Sequence, residues 1–412
     1  MALIIVWVVL PALWAGCKSS VPTQAHSETK VVRLWHTFNA SEAATVAELI
    51  KTFEADHPGV RVEVTVLPFG SARNRLRAAL AQGDGPDVAR AEVAWLPELA
   101  RDGLLVDVSQ HVELQTHLPQ IRRFVHWDGR TWAFPQGVDC LVLYYNAQHL
   151  RQAKLSPPKT WPELASAARG LTVADERHGL SLKADGYHFL PALWAFGGGT
   201  VSVDASQILI DTPNSIEAAT FYRALALDPT ATTPSLDLAN EYNDELDRFG
   251  RAQVSMIING PWAARELLGR PAFAQASNLG IAPVPRGPKG QGGSPAGGHV
   301  YTLSARTQHA QLALALAKHL SGLDAQRQMA LQNHLLPTLE SAYTQPEIRQ
   351  DRILMAFRQA LEQSHDRAIF PGMARLFDAL NPAMHRLLRQ ESTPETLMQS
   401  VGAQWRQLRP DE

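Results

Sequence analysis

One short stretch decides how this chain folds: Val254-Ser255-Met256-Ile257-Ile258-Asn259-Gly260-Pro261-Trp262. Residues 254–258 form a nearly continuous apolar run, which is typical of a buried parallel strand. Asn259-Gly260-Pro261 ends the run with turn residues, and a helix can begin at Pro261 because its missing N–H would be unpaired there. Trp262 therefore stands at the carboxyl end of a strand, the edge at which open α/β sheets bind ligands. From this stretch alone, Trp262 could equally be a core residue.

The rest of the chain alternates strand and helix patterns. Residues 31–35 predict a first strand, and residues 41–56 predict a helix with one apolar face. In residues 60–66 valine alternates with polar residues, as in a half-buried strand. This order indicates an α/β fold in which helices cover parallel or mixed sheets. From residue 310 onward nearly every segment predicts helix.

Length and composition bound the possible functions. The chain has 412 residues, which is enough for two or three domains. Its apolar fraction of 45% and charged fraction of 19% are those of an ordinary globular protein. A net charge of -2 and the lack of a long basic run argue against nucleic acid as a main partner.

The first 30 residues indicate export. Residues 2–15 are almost wholly apolar, too short to span a bilayer comfortably, and end in small residues. Trp14-Ala15-Gly16-Cys17 resembles a bacterial lipobox, although Trp14 is bulkier than the usual leucine. We expect residues 1–17 to be a lipoprotein signal peptide that ends at a lipidated Cys17, and residues 18–30 to be a flexible tether. A plain cleaved signal or a short membrane anchor are the alternatives.

The two cysteines, Cys17 and Cys140, allow no disulfide within the chain if Cys17 carries lipid. An exported protein of this size can rely on its hydrophobic core instead.

Six motifs occur in an order that resembles a known family: Gly83-Asp84-Gly85-Pro86-Asp87, the stretch from Phe134-Pro135 to Tyr145-Asn146, Pro158-Lys159-Thr160-Trp161, Ala195-Phe196-Gly197-Gly198, Asn259-Gly260-Pro261-Trp262 and Ile369-Phe370-Pro371-Gly372-Met373. The chain resembles the bacterial extracellular solute-binding proteins of ABC importers, especially the maltose- and maltodextrin-binding proteins. The resemblance runs from about Lys30 to the C-terminus.

The resemblance implies a periplasmic-binding-protein fold of type II. In that fold two α/β lobes, each a sheet flanked by helices, are joined by a hinge that the chain crosses more than once. It implies an N-terminal lobe of residues 27–138 plus 298–338 and a C-terminal lobe of residues 141–295 plus 341–412. Breaks in the α/β pattern agree with these crossings, at residues 136–139, 296–298 and 336–338.

A sugar site needs aromatic platforms for C–H faces and carboxylates or amides for hydroxyl groups. The resemblance implies that Trp262 stacks on a sugar, that Asp185 and Tyr187 form a carboxylate–tyrosine pair, and that Asp139 is a carboxylate near the hinge. Phe377 matches a further stacking ring. The loop after the first strand is similarly placed on the first lobe and carries His36, Thr37 and Asn39.

Each of these residues also has a structural interpretation. Asp139 could only hydrogen-bond within the hinge, Tyr187 and Phe377 could be core, and Asn39 could cap the following helix. The sequence also departs from typical maltodextrin binders, which carry a tryptophan and a charged pair just after the Gly-Pro-Asp turn. Here those positions are Ala91, Ala94 and Trp95, so Glu92 and Trp95 become the candidate first-lobe contacts.

Two classes of function remain. The first is a monomeric binding protein that captures a maltodextrin-like sugar and delivers it to importer membrane subunits, with trehalose or a glycerol phosphodiester as other possible solutes. The second is a secreted glycosidase that uses Asp139 and Asp185. The sequence has no Gly-x-Ser-x-Gly, His-Glu-x-x-His or phosphate-loop motif, its histidines lack metal-ligand spacing, and we expect no cofactor, metal or catalytic residue.

Overall fold

The computed structural model describes residues 29–235, 240–288 and 292–408. The predicted signal peptide with Cys17, and all but the end of the predicted tether, lie outside these residues. The strands are β1 Lys30–His36, β2 Val60–Val66, β3 Val88–Glu92, β4 His126–Trp127, β5 Arg130–Thr131, β6 Phe134–Asp139, β7 Val142–Asn146, β8 Leu180–Lys183, β9 Thr232–Ser235, β10 Met256–Asn259, β11 Leu279–Pro283 and β12 Gly297–Leu303.

The helices are α1 Ala40–Asp56, α2 Phe69–Gln82, α3 Leu96–Arg101, α4 Pro119–Val125, α5 Ala147–Gln152, α6 Trp161–Leu171, α7 Gly186–Ala195, α8 Pro213–Ala226, α9 Glu241–Gly250, α10 Ala264–Leu268, α11 Ala310–Ser321, α12 Leu323–Asn333, α13 Pro346–Gln350, α14 Arg352–Leu361, α15 Leu376–Leu388 and α16 Pro394–Arg406. Within the described ranges, none of them combines the length and apolar character needed to cross a bilayer.

Two five-stranded sheets organise the molecule. The first has the order β2-β1-β3-β12-β6, and the second has the order β11-β7-β10-β8-β9. In the first sheet only β12 runs against the other four strands, and in the second only β7 does so. We call the first sheet with α1 to α4, α11 and α12 the first lobe, and the second sheet with the remaining helices the second lobe.

The reversed strand in each sheet is the one that arrives from the other lobe. The chain leaves the first sheet at the carboxyl end of β6 and enters the second as β7 after two residues. It returns from β11 to the first sheet as β12. Both crossings run between the edges at which the other strands of the two sheets end. A strand that enters at such an edge therefore runs opposite to its neighbours.

Two local predictions need correction. The stretch at residues 254–262 contains the buried strand β10, but β10 is parallel only to β8 and is antiparallel to β7, because β7 enters from the hinge. Asn259, which was predicted to belong to the turn, is the last residue of this strand. The predicted break at residues 296–298 is also shorter than expected, because β12 begins at Gly297.

Helix α1 shows how the sequence builds the lobes. Asn39 accepts a hydrogen bond from the Glu42 N–H, while Glu42 accepts one from the Asn39 N–H, so two free backbone donors are satisfied. Val46, Leu49, Ile50 and Phe53 then bury one face of the helix. The largest buried cluster extends through both lobes, so the lobes are in contact in this structure.

Candidate functional site

The carboxyl ends of strands from both sheets meet between the lobes. In the first lobe β1, β3 and β6 end at this edge, and in the second lobe β8 and β10 do so. Trp262 follows β10 after two residues, and Asn259 at the end of β10 pairs with Val142, three residues beyond Asp139. The sequence therefore brings its predicted strand-end residues to one cleft, as expected for an α/β sheet.

Asp139 and Tyr187 form the centre of this cleft. The Tyr187 hydroxyl donates a hydrogen bond to Asp139 Oδ1 over 3.2 Å, and this bond joins the hinge strand to the start of α7. A Cβ on Gly297 would lie 2.4 Å from Asp139 Oδ1 and 2.8 Å from the Tyr187 hydroxyl. Only glycine at position 297 lets β12 pass this close to the pair.

An ion pair crosses the cleft beside this centre. Arg367 in the second lobe donates a hydrogen bond through Nη2 to Glu92 Oε1 in the first lobe, over 3.1 Å. The Arg367 guanidinium also lies 5.8 Å from the centroid of the Tyr187 ring. Glu92 is fixed in turn, because its other carboxylate oxygen accepts a hydrogen bond from the Ala94 N–H over 3.1 Å.

The surroundings of the cleft centre shift the pKa of Asp139. Burial raises the pKa of Asp139 to about 6, and the negative charge of Glu92 adds to the rise. The Arg367 and Arg90 guanidiniums and the Tyr187 hydroxyl oppose it. Burial, with a smaller contribution from Arg90, lowers the pKa of the neighbouring His299 well below its usual value, so His299 is neutral near pH 7.

Trp262 lies half-buried in a 3-10 turn, Pro261–Ala263, at the carboxyl end of β10. Its ring folds back over Gly260, where a Cβ would meet the ring at 2.3 Å. The ring also packs against buried residues of two hydrophobic clusters. Trp262 is thus partly exposed, and it also packs against the core.

Phe377 and Asp185 have different surroundings. The half-buried Phe377 ring lies 6.1 Å from the Tyr187 ring, so both aromatic residues border the cleft. Asp185 instead caps α7 by accepting a hydrogen bond from the His188 N–H, and its carboxylate lies 2.6 Å from His188 Nδ1. Burial alone would raise the pKa of Asp185, but the bonds and charge from His188 outweigh burial and lower it.

The predicted first-lobe loop is tied mostly to its own lobe. The Thr37 hydroxyl accepts a hydrogen bond from Arg90 Nη1 over 2.7 Å, and His36 Nδ1 accepts one from the Phe38 N–H. Burial, with a smaller contribution from Arg90, lowers the pKa of His36 to about 4. Asn39 caps α1, which was its structural interpretation in the sequence.

Trp95 lies deeper than the sequence suggested. Only 5% of it is exposed, because the turn Val93–Trp95 directs its ring into the first lobe, under the exposed ring of Phe69. Its sugar contact stays a prediction, whereas Glu92, three residues earlier, reaches the cleft.

Sequence reasoning missed three residues of the cleft: Arg367, His299 and Phe69. Arg367 lies two residues before the Ile369-to-Met373 motif, and His299 directly follows the glycine pair at the second hinge crossing. Those positions beside recognised motifs were the available signals. Within residues 29–235, 240–288 and 292–408, no group of three or more His, Cys, Asp or Glu side chains is arranged to hold a metal ion.

The facing sheets and the cleft between them define a two-lobe binding-protein architecture, and the predicted periplasmic-binding-protein fold is confirmed. The chain belongs to the bacterial extracellular solute-binding protein family, whose profile matches residues 39–327. The family resemblance inferred from the six motifs is confirmed as well.

Several relatives cover nearly the whole chain. The GacH receptor of Streptomyces glaucescens GLA.O, solved unliganded and with acarbose, is 31% identical and has a TM-score of 0.88 over 92% of this chain and 98% of its own. The maltotriose-binding protein of Pyrococcus abyssi is 24% identical over 369 residues, 87% of this chain and 78% of the relative. Maltose-bound MalE3 of T. maritima shares the fold, with 23% identity and a TM-score of 0.83 over 92% of this chain and all of its own.

Proposed function

We propose that this protein captures a maltodextrin-like sugar between its lobes and delivers it to the membrane subunits of an ABC importer. The observation that carries this proposal is the cluster between the two sheets in which the buried Asp139 and Arg367 meet the half-buried Tyr187 and Glu92. Sugar-binding relatives of similar length, including the acarbose and maltotriose binders, support the ligand class.

The side chains of the cleft suit a sugar. Trp262, Tyr187 and Phe377 offer flat apolar faces for the C–H surface of a sugar ring. The carboxylates of Asp139 and Glu92 can accept hydrogen bonds from hydroxyl groups, and Arg367 can donate to hydroxyl oxygens. In this proposal His36, Thr37, Asn39, Asp185 and Trp95 support these contacts from behind.

Delivery depends on opening and closing of the lobes. The proposed lobes are residues 27–138 plus 298–338 and residues 141–295 plus 341–412, acting as a monomer without a cofactor. A sugar drives closure only to the extent that it binds the closed state better than the open one. The closed form would then be what the importer recognises.

Export and anchoring are proposed from the sequence alone. The apolar segment before Ala15-Gly16-Cys17 supports a lipoprotein held at the periplasmic or outer cell surface by a lipid on Cys17. Wild-type protein should label with fatty acid and partition with membranes, and Cys17→Ala should do neither. Label on Cys17→Ala, or wild type found only in the soluble fraction, would contradict the anchor.

A thermal-shift screen tests the proposed ligand. The panel contains glucose, maltose, maltotriose, trehalose and a glycerol phosphodiester. A sugar bound only by the folded state adds about 2.7 kcal/mol of stability at about 100 times its Kd. We expect the maltodextrins to shift the melting temperature most, and a shift with the phosphodiester alone would overturn the sugar proposal.

The same samples test whether the protein is an enzyme. The proposed glycosidase pair was Asp139 and Asp185, but the Asp185 carboxylate is engaged by His188 at the start of α7. We expect maltotriose to be recovered intact after incubation with pure protein. Steady production of glucose and maltose on a catalytic timescale would favour hydrolysis over transport.

A further inference from the structure

Phe69 is an exposed aromatic residue beside the cleft. It is the first residue of α2 and comes three residues after the end of β2, and it is 55% exposed. A single exposed apolar side chain needs no explanation by itself. The contacts of Phe69 with its neighbours are what distinguish it.

The ring of Phe69 is held by two other rings of the first lobe. Its centroid lies 5.8 Å from that of the buried Trp95 and 6.1 Å from that of His299. His299 Nδ1 is in turn 3.9 Å from Asp139 Oδ2. Contacts through His299 thus connect Phe69 to Asp139 at the centre of the cleft, and the buried Trp95 supports the Phe69 ring.

A second connection reaches the other lobe. Arg73 lies four residues after Phe69, on the same face of α2. It pairs with Asp378 of the second lobe over 2.8 Å, and Asp378 is adjacent to Phe377. The Arg73–Asp378 pair therefore joins the helix that begins with Phe69 to the helix that carries Phe377, one on each lobe.

We propose that Phe69 is a sugar-stacking residue of the first lobe, and that the ligand is an oligosaccharide extending from Asp139 and Trp262 to the space between Phe69 and Phe377. This inference rests on the proposed function and specifies its substrate. A monosaccharide held at the centre leaves the exposed face of Phe69 unused. A longer chain covers that face, and the ring loses little conformational freedom because Trp95 and His299 already hold it.

Calorimetric titration with glucose, maltose and maltotriose tests the proposal. Wild type should bind maltotriose more tightly than glucose. Phe69→Ala should lose roughly tenfold in affinity for maltotriose and less than about twofold for glucose, because only the longer sugar reaches position 69. Phe69→Leu keeps the apolar contact with Trp95 but lacks the flat ring, so it should also lose affinity, whereas Phe69→Trp should bind like wild type.

Val66→Ala is the matched control. Val66 is 58% exposed near the same end of β2, but it offers no ring. Its truncation should leave affinity for all three sugars unchanged, and the melting temperatures of all variants without sugar should match wild type.

The possible outcomes separate this inference from the proposed function. Equal affinity of wild type for glucose and maltotriose, full maltotriose affinity in Phe69→Ala, or an equal loss in Val66→Ala would each overturn the inference while leaving a sugar-binding protein. Failure of wild type to bind any of the three sugars would overturn the proposed function itself, and this inference with it.

Discussion

The contacts that fasten the last hinge crossing to the first lobe differ in chemistry from the contacts that hold the two lobes together at the cleft. At the hinge the buried amide of Gln326 accepts hydrogen bonds from the N–H groups of Thr338 and Leu339, at 2.7 and 3.1 Å. It also donates to the carbonyl oxygens of Pro135 and Ser321, at 3.2 and 2.8 Å. These groups are neutral, and the amide is fully hydrogen-bonded.

In the cleft the contacts between the lobes are ion pairs, and some polar atoms beside them lack a hydrogen-bond partner. Glu92 pairs with Arg367, Arg73 with Asp378, and Arg123 with Asp366. Within the described part of the chain, Arg367 Nε and His299 Nε2 are buried without a hydrogen-bond partner.

We interpret the Gln326 network as a permanent contact and the ion pairs of the cleft as contacts that open and close. A saturated neutral network costs little to bury and much to break. The largely buried Glu92–Arg367 pair loses much of its Coulomb attraction to desolvation, and the other two pairs are weakened by water at their exposed carboxylates, so opening them costs less than their short distances suggest. Substitutions in the Gln326 network and in the cleft contacts test this comparison.

The largest expected effect is at the hinge. Gln326→Leu would remove every amide bond and leave buried backbone groups unpaired, which should lower the free energy of unfolding by about 3 to 4 kcal/mol. Gln328→Leu, two residues further along α12 and half-buried, should change stability by less than about 0.5 kcal/mol. Denaturant unfolding measures both variants, and equal losses would remove the special role of the Gln326 amide.

Asp139 should make stability depend on pH. Its pKa is raised from 3.8 to about 6, so its contribution is fully present below the lower value and is lost as pH rises through the higher one. The lost stability could reach about 3 kcal/mol, and Asp139→Asn should not lose it. The stability of wild type minus that of Asp139→Asn should therefore fall between pH 4 and 7. A difference that stays flat or rises would contradict the burial of an ionising Asp139.

Trp262→Ala tests the second-lobe wall of the cleft. We expect a loss of about 2 kcal/mol in maltotriose binding, or roughly thirtyfold in Kd. Because Trp262 also packs on the core, stability should fall by about 1 to 2 kcal/mol, less than the 3 to 5 kcal/mol of a fully buried tryptophan. Trp127→Ala, in the β4–β5 hairpin, is the control for loss of a half-buried indole. Normal sugar affinity in a folded Trp262→Ala protein would remove Trp262 from the site.

Arg73→Ala should have the smallest effect. The Asp378 carboxylate is 58% exposed, so the pair should contribute at most about 1 kcal/mol to closure, and less at high salt. We expect less than about a fivefold loss of maltotriose affinity, and calorimetry at low and high salt measures it. Arg77→Ala removes an arginine one turn later in α2 that pairs with Asp102 within the first lobe, and it should change affinity not at all. Equal losses in both variants would mean that the Arg73 pair has no role in closure.

The sequence predicted the fold well because its signals are local. The apolar run before Asn259-Gly260-Pro261, the valine alternation at residues 60–66 and the cap at Asn39 each depend on neighbouring residues alone. The direction of β7 and β12 was not predictable in this way, since it follows from which sheet edges the hinge connects.

The candidate site was predictable only in part. Trp262, Asp139 and Glu92 lie at strand ends, and strand order brings strand ends together. Arg367 belongs to a segment between helices, and only tertiary packing carries it to Glu92. Trp95 was named as a candidate and the exposed Phe69 was not, because the 3-10 turn that buries Trp95 has no clear sequence signal.

The central claim is that a sugar enters and leaves between the lobes. A chain that starts after Cys17 and carries Arg73→Cys and Asp378→Cys can be closed with a bis-maleimide linker, and Cys140 is fully buried and should not react. Maltotriose binding is then measured by calorimetry before and after linking. We expect the unlinked protein to bind and the linked protein, whose lobes cannot separate, to bind no sugar. Undiminished maltotriose binding by the linked protein would contradict a site between the lobes.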